Sequence, residues 1–375
     1  MVQVDTLPPL IRSEAQKTHL LIRDFIKRTP ILTCTTLSAL ASTPQSAEAL
    51  ARTEWIGRDP ARPKINLFFK CENLQTIGAF KLRGATSFLQ RLGDEELAKG
   101  VVTHSSGNHA AALALAAKRR GAPAYIVMPR ISMPNKIAAT RSHGAEIVFS
   151  GSTAPEREAV AAEVMARTGA TMVPPYDHPY IILGQGTLAL EVEEQVGLML
   201  DAGSGGKLDA VVAPLGGGGM LSGIATALSG TGIRVFGAEP SFQGGDDGRR
   251  GLAADPPERV TEVKTLTIAD GLRTPVGVYP WSVISDREKV GGVFAVTEGQ
   301  ILAAMRLVLE RMKVVIEPSS AVPLAVVLFN EDFRRRVEQE GGEQGWNICV
   351  VFSGGNTTVE AIGKLFAKEE NEDER

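Results

Sequence analysis

Short apolar runs alternate with amphipathic stretches along most of this chain. From Leu67 onward each apolar run is followed by a turn and then by a segment with apolar residues at helical spacing. Continuous apolar strands, each followed by a helix, are typical of parallel sheets covered on both faces. The predicted strands and helices are Asn66–Lys70 with Lys81 to about Leu92, Val101–His104 with Asn108–Lys118, Ala124–Met128 with Asn135–His143, Glu146–Phe149 with Pro155–Arg167, Thr171–Val173 with Ile182–Val196, Asp209–Ala213 with Met220–Leu228, Arg234–Ala238, and Ile348–Phe352 with Thr357–Phe366. The pattern predicts an α/β fold of mostly parallel sheets flanked by helices.

Three regions lie outside this alternation. Ser13–Ile26 has apolar residues at roughly helical spacing, which predicts an N-terminal helix. Glu298–Met312 and Ser319–Phe329 are also helical in pattern, and Pro318 suits the first turn of the second, so we expect a pair of helices. Ser42–Lys64 is polar and contains proline, and we expect an exposed insertion without identifiable chemistry.

Length and composition narrow the class of protein. The chain has 375 residues, enough for two domains, because single cores stop growing near about 250–300 residues. Its net charge of −3, with both signs interspersed, argues against a nucleic-acid or membrane partner. No segment approaches the roughly 20 apolar residues of a membrane span, and Met1–Glu14 lacks the features of a secretory signal. Cys34, Cys71 and Cys349 lie far apart, so we expect reduced thiols and a cytoplasmic location.

The candidate chemistry begins at Thr76–Gly84, between a predicted strand and a helix that starts near Lys81. A helix start is unfavourable for a cation, because its free N–H groups carry partial positive charge. Gly78, Ala79 and Phe80 provide small and apolar surroundings, which also favour the neutral amine. A neutral lysine amine can form a Schiff base with a carbonyl. Taken alone, these residues fit a surface lysine equally well.

A glycine-rich turn, Pro214–Met220, follows a predicted strand and opens a helix. Consecutive glycines let several N–H groups converge and the helix start adds positive potential, so the turn suits a phosphate; a flexible loop is the plain alternative. Gly217 and Gly219, with Glu239 after the next strand, also resemble part of a dinucleotide fingerprint, which would indicate an NAD-dependent oxidoreductase. Ser222 stands at the third glycine position, so that fingerprint is incomplete.

Two further turns place hydroxyl groups at strand ends. Ser106 and Asn108 lie in Thr103–His109 at a predicted helix start, where they suit a carboxylate and Ser106 could move a proton, although helix capping also explains them. Ser353 opens the turn Ser353–Asn356. Ligands of parallel α/β folds bind at the carboxyl ends of strands. The lysine, the phosphate turn, the carboxylate nest and the hydroxyl together predict a cofactor with an aldehyde and a phosphate, which is pyridoxal phosphate.

The same stretches resemble a known family. They are Glu72–Gln75 with Gly78–Gly84, Ser105–His109, Gly184–Thr187, Gly216–Gly219 and Ser353–Asn356. In this order they resemble the fold-type II pyridoxal-phosphate enzymes, which are tryptophan synthase β-like, and within them the serine/threonine dehydratases and most closely the serine racemases. The resemblance runs from about Lys17 to Val359. Three stretches within it are racemase-like: Thr267–Gly271, Glu310–Lys313 and Ile316–Pro318.

The resemblance implies a role for each matching residue. Lys81 would hold the cofactor and take the α-proton on one face of the substrate, and Ser106 would be the acid and base on the opposite face. The implied cofactor-binding residues are Phe80, Lys81, Asn108, Gly216, Gly217, Gly218, Gly219, Met220 and Ser353. The implied substrate-binding residues are Ser105, Ser106, Asn108, His109, Arg157 and Thr274.

The resemblance also implies a domain division and a metal site. Residues 1–99 and 178–375 would form a large cofactor-binding domain, and residues 100–177 a small mobile domain whose closure excludes water. Glu239, Gly245 and Asp247 would bind a divalent cation through two carboxylates and a carbonyl, and such hard oxygen ligands suit Mg²⁺, Ca²⁺ or Mn²⁺. The segment is longer than the family's pattern, and a solvated turn is the alternative.

The expected function is that of a dehydratase. It would eliminate water from serine, threonine or a related β-hydroxy amino acid, with serine racemisation as a second or even principal activity, and we expect a homodimer. An NAD-dependent oxidoreductase and a non-catalytic amino-acid or metal sensor are the alternatives. Ala110, Ala111 and His143 depart from the residues of racemases that bind ATP, so ATP activation is not expected.

Overall fold

The computed structural model describes residues 7–51, 53–132, 134–203 and 206–373, which form two β-sheets flanked by helices. The strands are β1 Ile31–Thr33, β2 Ile65–Cys71, β3 Val101–His104, β4 Ala124–Pro129, β5 Glu146–Ser150, β6 Thr171–Met172, β7 Ala210–Pro214, β8 Arg234–Pro240, β9 Gly292–Val296 and β10 Trp346–Phe352. The larger sheet has the order β1-β2-β10-β7-β8-β9 and the smaller one β5-β4-β3-β6. The predicted α/β fold is confirmed.

Sixteen α-helices are recorded for the described residues. They are α1 Arg12–Ile22, α2 Thr35–Ser42, α3 Ala47–Ala51, α4 Lys81–Leu89, α5 Asp94–Lys99, α6 Asn108–Arg120, α7 Pro134–Ser142, α8 Ala154–Thr168, α9 Pro179–Ala202, α10 Gly219–Leu228, α11 Asp247–Ala253, α12 Val278–Ile284, α13 Glu298–Leu307, α14 Pro318–Phe329, α15 Glu331–Gly341 and α16 Val359–Asp373. Short 3₁₀ turns lie at Arg23–Phe25, Glu72–Leu74, Phe242–Gly244 and Asp270–Leu272, and a π-helical turn at Val308–Met312. The predicted break before the second C-terminal helix falls at Glu317, the N-cap of α14.

The larger sheet is parallel except for its edge strand β1, which pairs antiparallel with β2. Strand β10 lies between β2 and β7, so that Val350 pairs with Phe69 on one side and with Val212 on the other. Neighbouring residues of β2 contribute to different cores: Phe69 belongs to one apolar cluster and Phe68 to another. Both faces are therefore buried, which is why its inner strands are continuous apolar runs.

The smaller sheet is parallel throughout its recorded pairs, and its strands run from Val101 to Met172. Helix α6 packs on it and also contacts α4 of the larger unit. These strands fall inside the predicted small domain, residues 100–177. The exact domain division and its mobility stay predictions.

The expectation of an exposed insertion at residues 42–64 is wrong. Leu50, Trp55 and Ala61 are buried, with Trp55 only 4% exposed. The Glu331 carboxylate of α15 accepts the Ala61 N–H at 2.8 Å and the Gln45 side-chain amide at 2.6 Å. The polar composition concealed three apolar anchors and a buried carboxylate that fixes the segment.

Two further expectations concern the environment of the chain. No helix of the described residues is long and apolar enough to cross a membrane. Cys34, Cys71 and Cys349 are free thiols, the last two of them buried.

Candidate active site

The candidate residues lie at the carboxyl ends of three neighbouring strands, β2, β10 and β7. After β2 the chain makes a 3₁₀ turn and enters α4 at Lys81. After β10 comes Ser353, whose carbonyl accepts the Phe80 N–H at 2.9 Å. After β7 comes the glycine turn that opens α10. Since parallel strands end at one edge, turns far apart in the sequence meet there.

Lys81 is the first residue of α4 and is partly buried. Its Nζ donates a hydrogen bond to the Pro175 carbonyl at 2.7 Å and lies 5.1 Å from the centre of the Phe80 ring. Burial lowers the pKa of Lys81 to about 8, although the Glu317 carboxylate acts in the opposite direction. Near neutral pH a substantial fraction of this amine is therefore unprotonated, as a nucleophile or base requires.

The glycine turn presents a concave row of N–H groups. Gly218 has φ +86°, a conformation that favours glycine, and α10 begins at Gly219. The N–H groups of Gly216, Gly217 and Gly218 make no hydrogen bond to any described residue. A Cβ on Gly217 would clash with the Tyr176 ring, so the turn requires glycine there. Free N–H groups at a helix start fit a phosphate.

Ser353 lies 3% exposed at the end of β10. Its Oγ is 3.0 Å from the Ser320 Oγ, which itself donates to the Gly354 carbonyl at 2.6 Å and accepts the Gly354 N–H at 2.7 Å. Ser320 therefore holds the turn after β10 in place. Sequence reasoning missed Ser320, whose position near this turn depends on the packing of α14 against the sheet.

Glu317 is the second residue that sequence reasoning missed. Its carboxylate accepts the Asn108 side-chain amide at 2.9 Å and the Asn356 N–H at 3.2 Å. Asn356 in turn donates from its side chain to the Asn108 carbonyl oxygen at 2.7 Å. Burial and the nearby Asp270 carboxylate raise the pKa of Glu317 to about 7. The only sequence signal was a carboxylate just before Pro318, and the structure shows that it fixes the orientation of Asn108.

The serine turn after β3 leads into α6. Ser105 and Ser106 are partly buried, and no hydrogen bond to a described residue is recorded for Ser106. The His109 Nε2 donates to the Val173 carbonyl at 3.1 Å, and its Nδ1 is buried without a partner among the described residues. Burial, and then the nearby Lys81, lower the pKa of His109 to about 3, so its ring is neutral. A carboxylate here would depend on the free N–H groups of Asn108 and His109 rather than on an imidazolium.

Arg157 and Thr274 are more peripheral. Arg157, in α8, donates to the Ser152 carbonyl at 2.8 Å. Thr274 is exposed, and its side chain hydrogen-bonds to the Tyr176 phenol. The structure thus groups Lys81 with the glycine turn and with Ser353, whereas no contact joins Arg157 to them within the described part of the chain. Their predicted closure on a substrate stays a prediction.

Comparisons with known proteins agree with this interpretation of the geometry. The family model described as "Pyridoxal-phosphate dependent enzyme" matches residues 22–354. The chain belongs to this family. A serine racemase of Arabidopsis thaliana is 39% identical over 353 residues, which are 94% of this chain and 94% of that protein.

Solved structures of the family agree. A maize serine racemase aligns with a TM-score of 0.81 at 35% identity, over 97% of this chain and 99% of that one. A bacterial threonine deaminase, from T.th., aligns with a TM-score of 0.75, also at 35% identity, over 93% of this chain and 99% of that one. The predicted membership of the fold-type II pyridoxal-phosphate enzymes is confirmed, and the protein is a pyridoxal-phosphate-dependent enzyme. The amine, the free N–H groups and the buried hydroxyl described above fit that cofactor.

The predicted metal residues form a buried acidic pair next to β8. Glu239 is fully buried, and its two oxygens accept the N–H groups of Gly248 and Arg249, each at 2.9 Å. Asp247 accepts the Val276 N–H at 3.0 Å, and its second oxygen has no partner among the described residues. Burial and then Asp247 raise the pKa of Glu239 well above its ordinary value, and burial raises the pKa of Asp247 to about 6.

A dinucleotide site at the glycine turn does not fit this family or this geometry. Glu239 would have to reach a ribose, but both of its oxygens are occupied by N–H groups of α11. Ser222 stands in place of the third glycine, and its hydroxyl donates to the Gly218 carbonyl at 2.8 Å. The NAD-dependent alternative is therefore discarded.

A buried cluster of charges lies directly behind Lys81. The Arg83 side chain is fully buried and donates to Glu72 with two nitrogens, each at 2.8 Å. It also donates to Glu191 at 2.7 and 2.8 Å. Lys70 donates to Glu191 at 2.6 Å. Two cations and two carboxylates balance one another, and they join β2, α4 and α9 beneath the candidate site.

Proposed function

We propose that this protein eliminates water from serine, threonine or a related β-hydroxy amino acid, releasing a 2-keto acid and ammonia, and that it also racemises serine. The serine racemases and the threonine deaminase to which the chain is similar support these two activities. The observation that carries the proposal is the position of the Lys81 amine, with its lowered pKa, where the glycine turn, Ser353 and the serine turn converge.

Lys81 is the proposed base on one side of the substrate. When bound, pyridoxal phosphate supplies an aldehyde for the substrate's amino group and an electron-withdrawing ring that acidifies the α-hydrogen. The Lys81 Nζ accepts that proton, and its hydrogen bond to the Pro175 carbonyl sets its direction. The N–H groups of Gly216 to Gly219 and Met220 hold the phosphate, and Asn108, fixed by Glu317, binds the phenolic oxygen of the ring.

Ser106 decides between the two outcomes in this proposal. A proton on its Oγ would reach the α-carbon from the opposite face, which inverts the amino acid, whereas loss of the substrate hydroxyl before that gives elimination. The Ser353 hydroxyl would bind the pyridine nitrogen. Because a hydroxyl cannot give that nitrogen a full proton, the ring is a weaker electron sink, which favours prompt elimination or reprotonation.

The substrate would be held at the start of α6. The free N–H groups of Asn108 and His109, with the hydroxyl of Ser105, suit its carboxylate. Arg157 and Thr274 would close on it as the small domain moves and water is excluded.

One experiment tests the activity. The purified holoenzyme is given L-serine, D-serine, L-threonine and 3-hydroxyaspartate, and both keto acid and enantiomer are measured. We expect keto acid from at least one substrate and inversion of serine. No turnover of any of them, in a protein that still carries the cofactor, would refute the substrate assignment and favour an amino-acid sensor.

A matched pair of variants tests Ser106. Ser106→Ala should reduce racemisation by about 10²- to 10⁴-fold, the usual contribution of one acid or base. Elimination should fall much less. Ser105→Ala is the control, since it also removes a hydroxyl from this turn, and we expect it to weaken substrate binding without changing the ratio of the two activities. An unchanged ratio in Ser106→Ala would remove Ser106 from its role.

We also propose a divalent cation, with Mg²⁺ as the first candidate, at Glu239, Gly245 and Asp247. The Gly245 carbonyl accepts no hydrogen bond from the described residues, and the second Asp247 oxygen is unpaired among them. A cation would satisfy both and relieve the repulsion between two buried carboxylates. At 100 times its dissociation constant it would stabilise the fold by about 2.7 kcal/mol. Chelation should therefore lower the melting temperature of the wild type but not of Asp247→Asn, and an unchanged wild type would refute the site.

A homodimer and a cytoplasmic location complete the proposal. The free thiols fit a reducing compartment. Sedimentation at micromolar concentration tests the dimer, and a monomer throughout would refute it.

A further inference from the structure

A second cavity, of about 330 Å³, lies apart from the residues proposed for catalysis. Its walls come from three places: residues 53–55 of the insertion, the edge strand β9 with the start of α13, and the segment that follows β8. Its volume is that of a small-molecule site. Nothing in the proposed reaction uses it.

The cavity carries charges of both signs. The Arg249 guanidinium lines it and pairs with Asp246 through Nε and Nη2, whereas its Nη1 makes no hydrogen bond to any described residue. Glu54 lines it as well, and within the described part of the chain its carboxylate has no recorded partner. A second carboxylate, Asp332, is already bound to Arg58 at 3.1 Å. One cationic and one anionic group are thus available to bind a ligand.

The remaining wall is apolar. Phe294, Ala295 and Val296 of β9 contribute to it, and the Trp55 side chain forms part of the opposite lining. The Trp55 indole N–H is buried and has no partner among the described residues. An unsatisfied buried donor costs free energy, so an acceptor that reached it would stabilise the bound state.

We propose that this cavity binds a small aliphatic α-amino acid at a site separate from the active site. The carboxylate of the ligand would pair with Arg249, its ammonium group with Glu54, and its side chain would lie against Phe294. The Arg249 N–H also donates to Glu239, so the ligand would touch the segment that carries the proposed cation. A zwitterion fits because each available charge then gains an opposite partner.

The test is calorimetric titration of the borohydride-treated holoenzyme, in which the cofactor is fixed to Lys81. The probe is α-aminoisobutyrate, which has no α-hydrogen for Lys81 to remove. Isobutyrate and isopropylamine, which each lack one of the two charges, are the matched probes. We expect saturable binding of α-aminoisobutyrate at one site, with a change in Trp55 fluorescence, and at least tenfold weaker binding of the other two. Equal affinity for all three, or no binding of the zwitterion, would overturn the proposal.

Variants locate the site. Arg249→Met and Glu54→Gln should each weaken α-aminoisobutyrate binding about tenfold or more, as expected for loss of one charge-assisted contact. Arg250→Met is the control, because Arg250 also pairs with Asp246 but does not line the cavity. Binding that survives both test substitutions would place the probe elsewhere and overturn the assignment. So would an equal loss in Arg250→Met.

Discussion

Replacement of Arg83 by methionine should destabilise this protein far more than loss of an exposed arginine. The substitution keeps much of the apolar volume but removes the guanidinium that bridges Glu72 and Glu191. Glu72 would keep only the Thr29 hydroxyl, at 2.5 Å, and Glu191 would keep Lys70. One carboxylate is then buried without a counter-charge.

The expected loss is about 3–5 kcal/mol, the usual cost of removing one partner of a buried ion pair. That is a large part of the roughly 5–15 kcal/mol by which most domains are stable. The control is Arg28→Met, whose partner Glu194 lies on the same helix as Glu191, at 2.9 Å, but whose pair is 51% and 61% exposed. Exposed pairs contribute about 0–1 kcal/mol, so this change should be small.

Urea unfolding followed by circular dichroism at pH 7 measures both variants. A loss below about 1 kcal/mol for Arg83→Met, or one equal to that of Arg28→Met, would refute the reasoning. The double variant Arg83→Met/Glu72→Gln should lose less than the sum of its single changes, because the carboxylate left unpaired is then neutral.

The same cluster predicts a pH dependence. Burial raises the pKa of Glu191, but Arg83 and Lys70 outweigh it and hold the pKa below its ordinary value. A carboxylate whose pKa is lowered in the folded state stabilises the fold above its unfolded pKa of about 4.3. This contribution is lost as the pH falls through the lower, folded value. The difference between the wild type and Arg83→Met should therefore shrink in that acidic window and stay constant above about pH 5.

Two further predictions concern the cofactor site. In the apoenzyme, acetic anhydride should label Lys81 with a rate that rises with pH through about 8, since only the neutral amine reacts; mass spectrometry measures it, and a midpoint near that of ordinary lysines would contradict the lowered pKa. Glu317→Gln should move this midpoint further down, because the Glu317 charge raises the pKa of Lys81. Gly217→Ala should weaken cofactor binding, since its Cβ would clash with the Tyr176 ring, whereas Gly197→Ala, with no atom within 4 Å, should not; absorbance titration with the cofactor measures both, and equal affinities would show that the turn tolerates a side chain.

The sequence was most informative where one local pattern suffices. Continuous apolar runs followed by helices predicted the parallel sheets, because a strand buried on both faces has no polar side. The turns at Lys81, Gly216–Gly219 and Ser353 were found for the same reason: each lies directly after a strand. Their encounter required only that parallel strands share an edge.

What the sequence did not predict depends on contacts between distant segments. Glu317 appears as an ordinary helix-start carboxylate until Asn108 and Asn356 are placed beside it. Residues 42–64 appear exposed because their few apolar residues are scattered, and the contact with Glu331 cannot be read from their composition. Strand β1 has only three residues, too short for any periodicity to show.

The position of β10 has a consequence for how the chain is made. This strand is the last of the ten along the described chain, yet it lies between β2 and β7. During synthesis on the ribosome, β2 and β7 emerge long before their shared partner, and each keeps an unpaired edge of N–H and C=O groups until then. We expect the large sheet to close only when nearly the whole chain has emerged. The nascent protein therefore depends on protection from aggregation during that interval, and it acquires its cofactor late.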